Sequence, residues 1–285
     1  MHVYLINRAD RPQRLLHALA QLRKISMSKC VTRIEACTPH DAQGKRFSRF
    51  DEQTVDNIKN GGERTDLIPT WGAAACALSH YRCWERVRDD QRPDTQPALI
   101  VEDDIEITSA SSFLFRMKKA LCALELCAEK TSRSPHVWLF NATPGPGSSP
   151  NTWLEQHTYR INDIFTGLHC YLVTCSAAKL LLRYCSIFTY QVDIQIGQLV
   201  KEMQYDDEKI NVINSINAGI TQSTQFETDT QPMNPSPAWL SRLFSEKCPI
   251  EVIQHIGSYL PKSKNPHPES LWFVQYLAGY SYLSY

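Results

Sequence analysis

Several signatures that would announce a chemistry at once are missing from this chain. No Gly-x-Gly-x-x-Gly follows a strand-like run, and there is no Walker loop, no His-Glu-x-x-His and no Gly-x-Ser-x-Gly. Those absences argue against a dinucleotide enzyme, a P-loop nucleotidase, a zinc protease and an α/β-hydrolase. Ten cysteines are present, yet none forms a Cys-x-x-Cys pair or has zinc-finger spacing. Cys76, Cys122 and Cys170 fall in apolar patterns, which predicts reduced, buried thiols. Charge of either sign is not in excess, with Lys+Arg and Asp+Glu both at 30. A balanced chain without a basic, aromatic-laced stripe gives no reason to expect nucleic acid as a partner. No apolar run approaches the roughly 20 residues that span a bilayer, and no signal-peptide pattern precedes the first strand. The expectation is a cytoplasmic protein without a transmembrane segment.

What is present fits an ordinary folded chain: 285 residues, 42% hydrophobic and 21% charged, enough for one large α/β domain with a small appendage. The most informative stretch is Ala98-Leu-Ile-Val-Glu-Asp-Asp104. Four apolar residues read as a short strand buried on both faces. Three carboxylates follow. In extended chain Glu102 and Asp104 would project to one side and Asp103 to the other. Two converging carboxylates repel unless a cation lies between them, and oxygen-only ligands suit Mg²⁺ or Mn²⁺. The bland alternative is a solvated acidic turn.

Around this stretch the pattern alternates between strands and helices. Val3–Ile6 is a strand, and Pro12 opens a helix with Leu15, Leu19, Leu22 and Ile25 on one face. Val31–Ala36 completes a β-α-β unit. Arg8, Arg11 and Arg14 crowd the strand–helix junction, where basic residues oppose the helix dipole and suggest an anionic client. Residues 38–70 are polar, a partly helical excursion able to cover a site. Gly72–Arg88 reads as a helix with Cys76, His80, Trp84 and Val87 in one stripe, His80 being foremost a hydrogen-bonded core histidine. Phe113–Glu129 is a helix and Val137–Phe140 a strand. The run from Thr143 to Pro150 is a breaker loop. Gly167–Thr174 is a strand, Ser176 the cap of a helix over 177–184, and Val192–Met203 a helix with Asp193 in its first turn. From about residue 230 prolines mark a linker, which divides the chain into 1–230 and a helical extension over 231–285.

Taken together, four blocks resemble glycosyltransferase family 25, the family of bacterial lipooligosaccharide and procollagen galactosyltransferases. They are Val3-Tyr-Leu-Ile-Asn7 with Arg11, Pro12 and Arg14; Cys76-Ala-Leu-Ser-His80 with Trp84; Ala98-Leu-Ile-Val-Glu-Asp-Asp104; and Gly167, Tyr171, Ala178, Leu180 and Leu181 followed by Val192-Asp193. Two departures stand out. The family's acidic residue after the first strand is Ala9 here, and its Gly-Glu-x-Gly helix opening is Gly72 followed by Ala73, Ala74 and Ala75.

The resemblance implies a GT-A type domain with a mixed, mainly parallel sheet. It would transfer a hexose, galactose or glucose, from a UDP-sugar to a glycan, lipid-linked or protein acceptor with Mn²⁺ (or Mg²⁺), in lipopolysaccharide or other glycan biosynthesis. Glu102 and Asp104 would hold the metal. Asn7, Arg11, Arg14, Ser79, His80 and Asp103 would bind or support the donor, and Asp193 would be the base of an inverting transfer. Two rivals remain: an inactive family member acting as a binding module, and an adaptor. The adaptor would use the F-box-like run Pro249–Pro261 to hold a protein partner.

Overall fold

The computed structural model describes residues 1–64, 67–130, 135–145, 152–203 and 209–226. In chain order the elements are β1 (Val3–Asn7), α1 (Pro12–Lys24), β2 (Val31–Glu35), α2 (Pro39–Gly44), α3 (Arg46–Arg49), α4 (Glu52–Lys59), α5 (Trp71–Asp89) and β3 (Ala98–Glu102). There follow β4 (Ile105–Ile107), α6 (Ala110–Lys130), β5 (His136–Phe140), β6 (Thr143–Pro144), β7 (Thr152–Glu155), β8 (Thr158–Arg160) and β9 (Phe165–Thr166). The last are β10 (Cys170–Val173), α7 (Cys175–Tyr184), α8 (Val192–Glu202), β11 (Asn211–Ser215) and β12 (Ile220–Gln222).

Eight strands form one sheet in the order β2-β1-β3-β10-β5-β11-β8-β7. β1 runs parallel to β2 and β3, and β5 parallel to β11; β10 is antiparallel to both its neighbours, and β8 to both of its own. Only β10 and β8 are therefore reversed, and the other six strands share one direction. The sheet is mixed and mainly parallel, in an α/β fold.

Continuous apolar runs fill the centre because both faces of the sheet are covered. Alternation then sorts each strand's side chains into two cores. Tyr4, Ile6, Ile100, Leu139, Tyr171 and Val212 face one core with α5, α7 and α8. Val3, Leu5, Leu99, Val101, Phe140 and Leu172 face the other, with Ala18 and Leu22 of α1 and Phe113, Met117 and Leu124 of α6. The alanines at 73, 74, 75 and 77 are all buried, which lets α5 lie close against its neighbours. Trp84, fully buried on the same helix, anchors it.

The carboxyl ends of β1 and β3 lie side by side, since Ile6 pairs with Glu102. β10 enters the sheet in the opposite sense beside β3, with Cys170 opposite Val101. The residues that lead into β10, Gly167 to His169, thereby reach the edge where β1 and β3 end. Ligands of open α/β sheets bind at this kind of edge.

Several expectations need correction. Thr143 and Pro144 are not wholly irregular: they pair with Thr166 and Phe165, and the Gly145 N–H donates to the Ile164 carbonyl at 3.0 Å. A two-residue edge pairing tolerates proline because no ladder donor is demanded of it. The cap of α7 is Thr174, whose Oγ1 accepts the Ala177 N–H at 3.2 Å; Ser176 lies inside the helix. Cys122 is exposed on α6 rather than buried. The linker and helical extension expected over 231–285, with the F-box-like run, lie outside the described residues. Among the described residues no helix is long and apolar enough to cross a membrane.

Candidate functional site

β3 stops at Glu102, and Asp103 and Asp104 form a turn into β4. The expected alternation, with Asp103 pointing away from its neighbours, does not occur. A turn replaces the extended chain, and one side chain of α1 collects both acids. Arg14 Nε lies 2.7 Å from Asp103 Oδ1 and Arg14 Nη2 lies 2.9 Å from Asp104 Oδ2. Asn7, at the end of β1 and 1% exposed, donates to Asp103 Oδ2 at 2.7 Å. Its own Oδ1 accepts from Arg33 Nε at 2.9 Å. Because β12 pairs with β4, Gln222 reaches Asp104 Oδ2 at 2.8 Å, and the Ser223 N–H meets the Asp104 carbonyl.

A second chain of hydrogen bonds runs from Glu102 into the core. Trp84 Nε1 donates to Tyr171 Oη at 3.0 Å, and Tyr171 Oη lies 3.0 Å from His80 Nδ1. His80 Nε2 lies 3.0 Å from Glu102 Oε1. With Tyr171 accepting from Trp84, the network assigns the Tyr171 proton to Nδ1 and the ring proton to Nε2, which donates to Glu102. His80 is thus the buried, bonded histidine that its helical spacing suggests, and it also grips a cleft carboxylate. Ser79 ties backbone together: its hydroxyl donates to the Ala75 carbonyl at 2.7 Å and accepts the Cys37 N–H at 2.9 Å. Asp193, in the first turn of α8, accepts the Gly167 N–H at 3.1 Å and the Ile194 N–H at 2.9 Å.

These groups carry perturbed charges. Burial, and then repulsion from Glu102, push the Asp104 carboxyl up to about 7 despite Gln222 and Arg14. Burial raises Asp103 as well, against the pull of Arg14 and Asn7. Burial works to raise Glu102, but opposing effects, led by the hydrogen bond from His80, bring it below the ordinary carboxylate value. Asp193 is raised by burial, although three backbone groups oppose this. Burial lowers His169, favouring its neutral ring. Among the described residues Asp104 Oδ1 and His169 Nε2 are buried without a hydrogen-bond partner.

One cleft of about 200 Å³ gathers all of the residues singled out from the sequence: Asn7, Arg11, Arg14, Ser79, His80, Glu102, Asp103, Asp104 and Asp193. Arg8 lines it too, with its guanidinium on Asp10 at 2.7 Å. Arg14 lines it while committed to two carboxylates, so it sets the acids in place. His169, Gln191 and Gln222 complete the wall, and no motif in the sequence marked them. The one available signal for His169 was its position just before a buried strand at the same sheet edge. Gly72, Ala73 and Ala75 also line the cleft, so the departures in the helix opening border the site itself. At the other departure, the Ala9 N–H is held by Glu35 Oε1 at 2.8 Å, a carboxylate supplied from the end of β2.

The chain is an α/β protein whose mixed, mainly parallel sheet gathers buried acids, with arginines beside them, at its carboxyl edge, where ligands of such sheets bind. The sequence matches glycosyltransferase family 25 (LPS biosynthesis protein) over residues 1–196. The chain belongs to that family. No curated protein matches it. Among solved structures it is similar to a mannose-1-phosphate geranyltransferase from Thermus thermophilus, at 13% identity over 75% of this chain and 74% of that one. The TM-score of that pair is 0.26, too low to carry an argument.

Proposed function

We propose that this chain transfers a hexose, galactose before glucose, from a UDP-sugar to an acceptor hydroxyl, in a GT-A type domain and with inversion. The observation that carries the reading is the convergence of the family's four blocks on one acid-lined cleft. Arg8 and Arg11, at the turn between β1 and α1, line the cleft at the edge where a diphosphate would lie. Arg14 and Asn7 act through Asp103 and Asp104, holding them in one geometry. Asp193 is the candidate base: burial raises its affinity for a proton, and two backbone N–H groups fix its carboxylate. An inverting base must stand opposite the leaving group, so acceptor and diphosphate would occupy opposite sides of the sugar.

The residues fit a divalent cation. Asp104 Oδ1 is buried without a partner, and Asp104 and Glu102 repel each other. Both are oxygen donors of the kind Mn²⁺ or Mg²⁺ takes. Glu102 and Asp104 would hold it, and when bound it would neutralise charge on the departing diphosphate. The acceptor would be a glycan, lipid-linked or protein hydroxyl, with the work done in the cytoplasm.

One observation favours a second reading, an inactive binding module. The cleft wall at Gly72, Ala73 and Ala75 offers no polar side chain where the family resemblance implies a glutamate. Calorimetric titration with UDP-galactose and UDP-glucose, with and without Mn²⁺, separates the two when run beside Glu102→Ala and Asp104→Ala. The transferase reading expects Mn²⁺-dependent binding that either substitution abolishes, and slow release of UDP in the wild type. Binding without turnover on any acceptor would support the module; no binding by a folded chain would refute the donor assignment.

A further inference from the structure

The geometry points to a second cation site in the cleft, for a thiophilic ion such as Zn²⁺, formed by Cys76, His80 and Glu102. Cys76 and His80 are four residues apart on α5 and so share one face a turn apart. Glu102 at the end of β3 closes the set. One ligand atom from each of the three lies within 4.8 Å of the other two. A tetrahedral zinc with bonds of about 2.0–2.3 Å holds its ligand atoms roughly 3.3–3.8 Å apart. Closing that gap takes about 1 Å of side-chain movement, and Cys76 and Glu102, both only half-buried, line the cleft. The cleft leaves the fourth position to water, as in open zinc sites.

The donor set decides which ion is preferred. Sulfur, imidazole nitrogen and one carboxylate favour zinc over a hard ion, whereas the oxygen-only pair Glu102 and Asp104 favours the reverse. His80 is already oriented for ligation, since its far nitrogen is anchored to Tyr171 Oη at 3.0 Å. Binding through Nε2 replaces the bond to Glu102 and moves the ring proton to Nδ1, where Tyr171 Oη accepts it beside Trp84. The Cys76 thiol loses its proton to solvent as the metal–sulfur bond forms, with no change of oxidation state. The Tyr171 hydroxyl proton is then left without its partner. That cost makes the site weak and reversible rather than a structural zinc centre. Glu102 belongs to both sets, so an ion on the thiol side withdraws it from the donor cation. That last consequence, inhibition, rests on the donor reading above; the site itself does not.

The test is titration of the metal-free full chain with Co²⁺, whose bond to a thiolate gives a charge-transfer band in the near ultraviolet. The band is expected in the wild type, displaced by Zn²⁺, retained in Cys83→Ser and lost in Cys76→Ser. Peptide-resolved alkylation gives a second reading that needs no variant: Zn²⁺ should slow labelling of Cys76, whose thiolate it would hold, and leave the exposed Cys30 and Cys122 unchanged. No band at saturating Co²⁺, a band that survives in Cys76→Ser, or unprotected Cys76 would each overturn the site. A cobalt band in a protein that binds no UDP-sugar would leave the site standing and remove only its inhibitory role.

Discussion

Asp104→Asn should flatten the pH dependence of stability, and the structure gives the sign and size. The folded Asp104 carboxyl stands at about 7 against an ordinary 3.8. Between those values the native state keeps a proton that the unfolded chain releases. Raising the pH through that window therefore destabilises the fold; the contribution is complete below about 4 and lost above about 7. From pH 5 to pH 8 the difference is about 2 to 3 kcal/mol, at about 1.4 kcal/mol for each unit spanned. Glu102 is held below the ordinary value and stays ionised across the window, so its repulsion acts throughout. Asparagine has the same shape and does not titrate. Urea unfolding of both proteins, followed by tryptophan fluorescence in chelator at pH 5, 6, 7 and 8, isolates the effect because groups remote from Asp104 cancel in the comparison. Wild type should lose about 2 to 3 kcal/mol more than the variant on going from pH 5 to pH 8. Parallel profiles would refute the reasoning, since they would mean that Asp104 ionises as freely in the fold as in water.

Other perturbations test other parts of the structure. Mn²⁺ at a hundred times its dissociation constant should stabilise the wild type by about 2.7 kcal/mol, and thermal shift should show no such gain in Glu102→Ala. Tyr171→Phe removes the partner of both His80 Nδ1 and Trp84 Nε1. It should cost about 1–3 kcal/mol for each buried group left unpaired, measured by denaturant unfolding. Gly197→Ala places a Cβ 2.5 Å from the Ile164 Cα and 3.1 Å from the Asp163 carbonyl. Both are backbone atoms, so α8 must shift at a cost of about 1–3 kcal/mol, and donor affinity should fall with it because Asp193 rides on α8.

The strands and helices that were legible in the sequence are those whose pattern matches their burial. Val3–Ile6 and Ala98–Val101 are unbroken apolar runs because they are central and covered on both faces. β11 was not legible, although it lies between β5 and β8. Its sequence, Asn-Val-Ile-Asn-Ser, puts polar groups at buried positions, and their partners are far along the chain. Asn214 bonds the Ala142 carbonyl at 2.7 Å and Tyr159 Oη at 2.8 Å, and Ser215 Oγ accepts from Trp138 Nε1 at 2.9 Å. β7 is exposed throughout and carries no alternation to read.

The candidate site shows the same division. Its acids announced themselves, while the turn at Asp103 and the grip of Arg14 on two carboxylates depend on residues about ninety positions apart. Local periodicity holds no trace of such a contact.

Diffraction from crystals of the full chain grown with UDP and Mn²⁺ would test the central claim most directly. The account predicts a diphosphate at the edge formed by β1 and β3, with the ion on Glu102 and Asp104 and Arg11 turned toward phosphate oxygen. A nucleotide bound elsewhere on the domain, or an empty cleft in crystals saturated with both ligands, would contradict it.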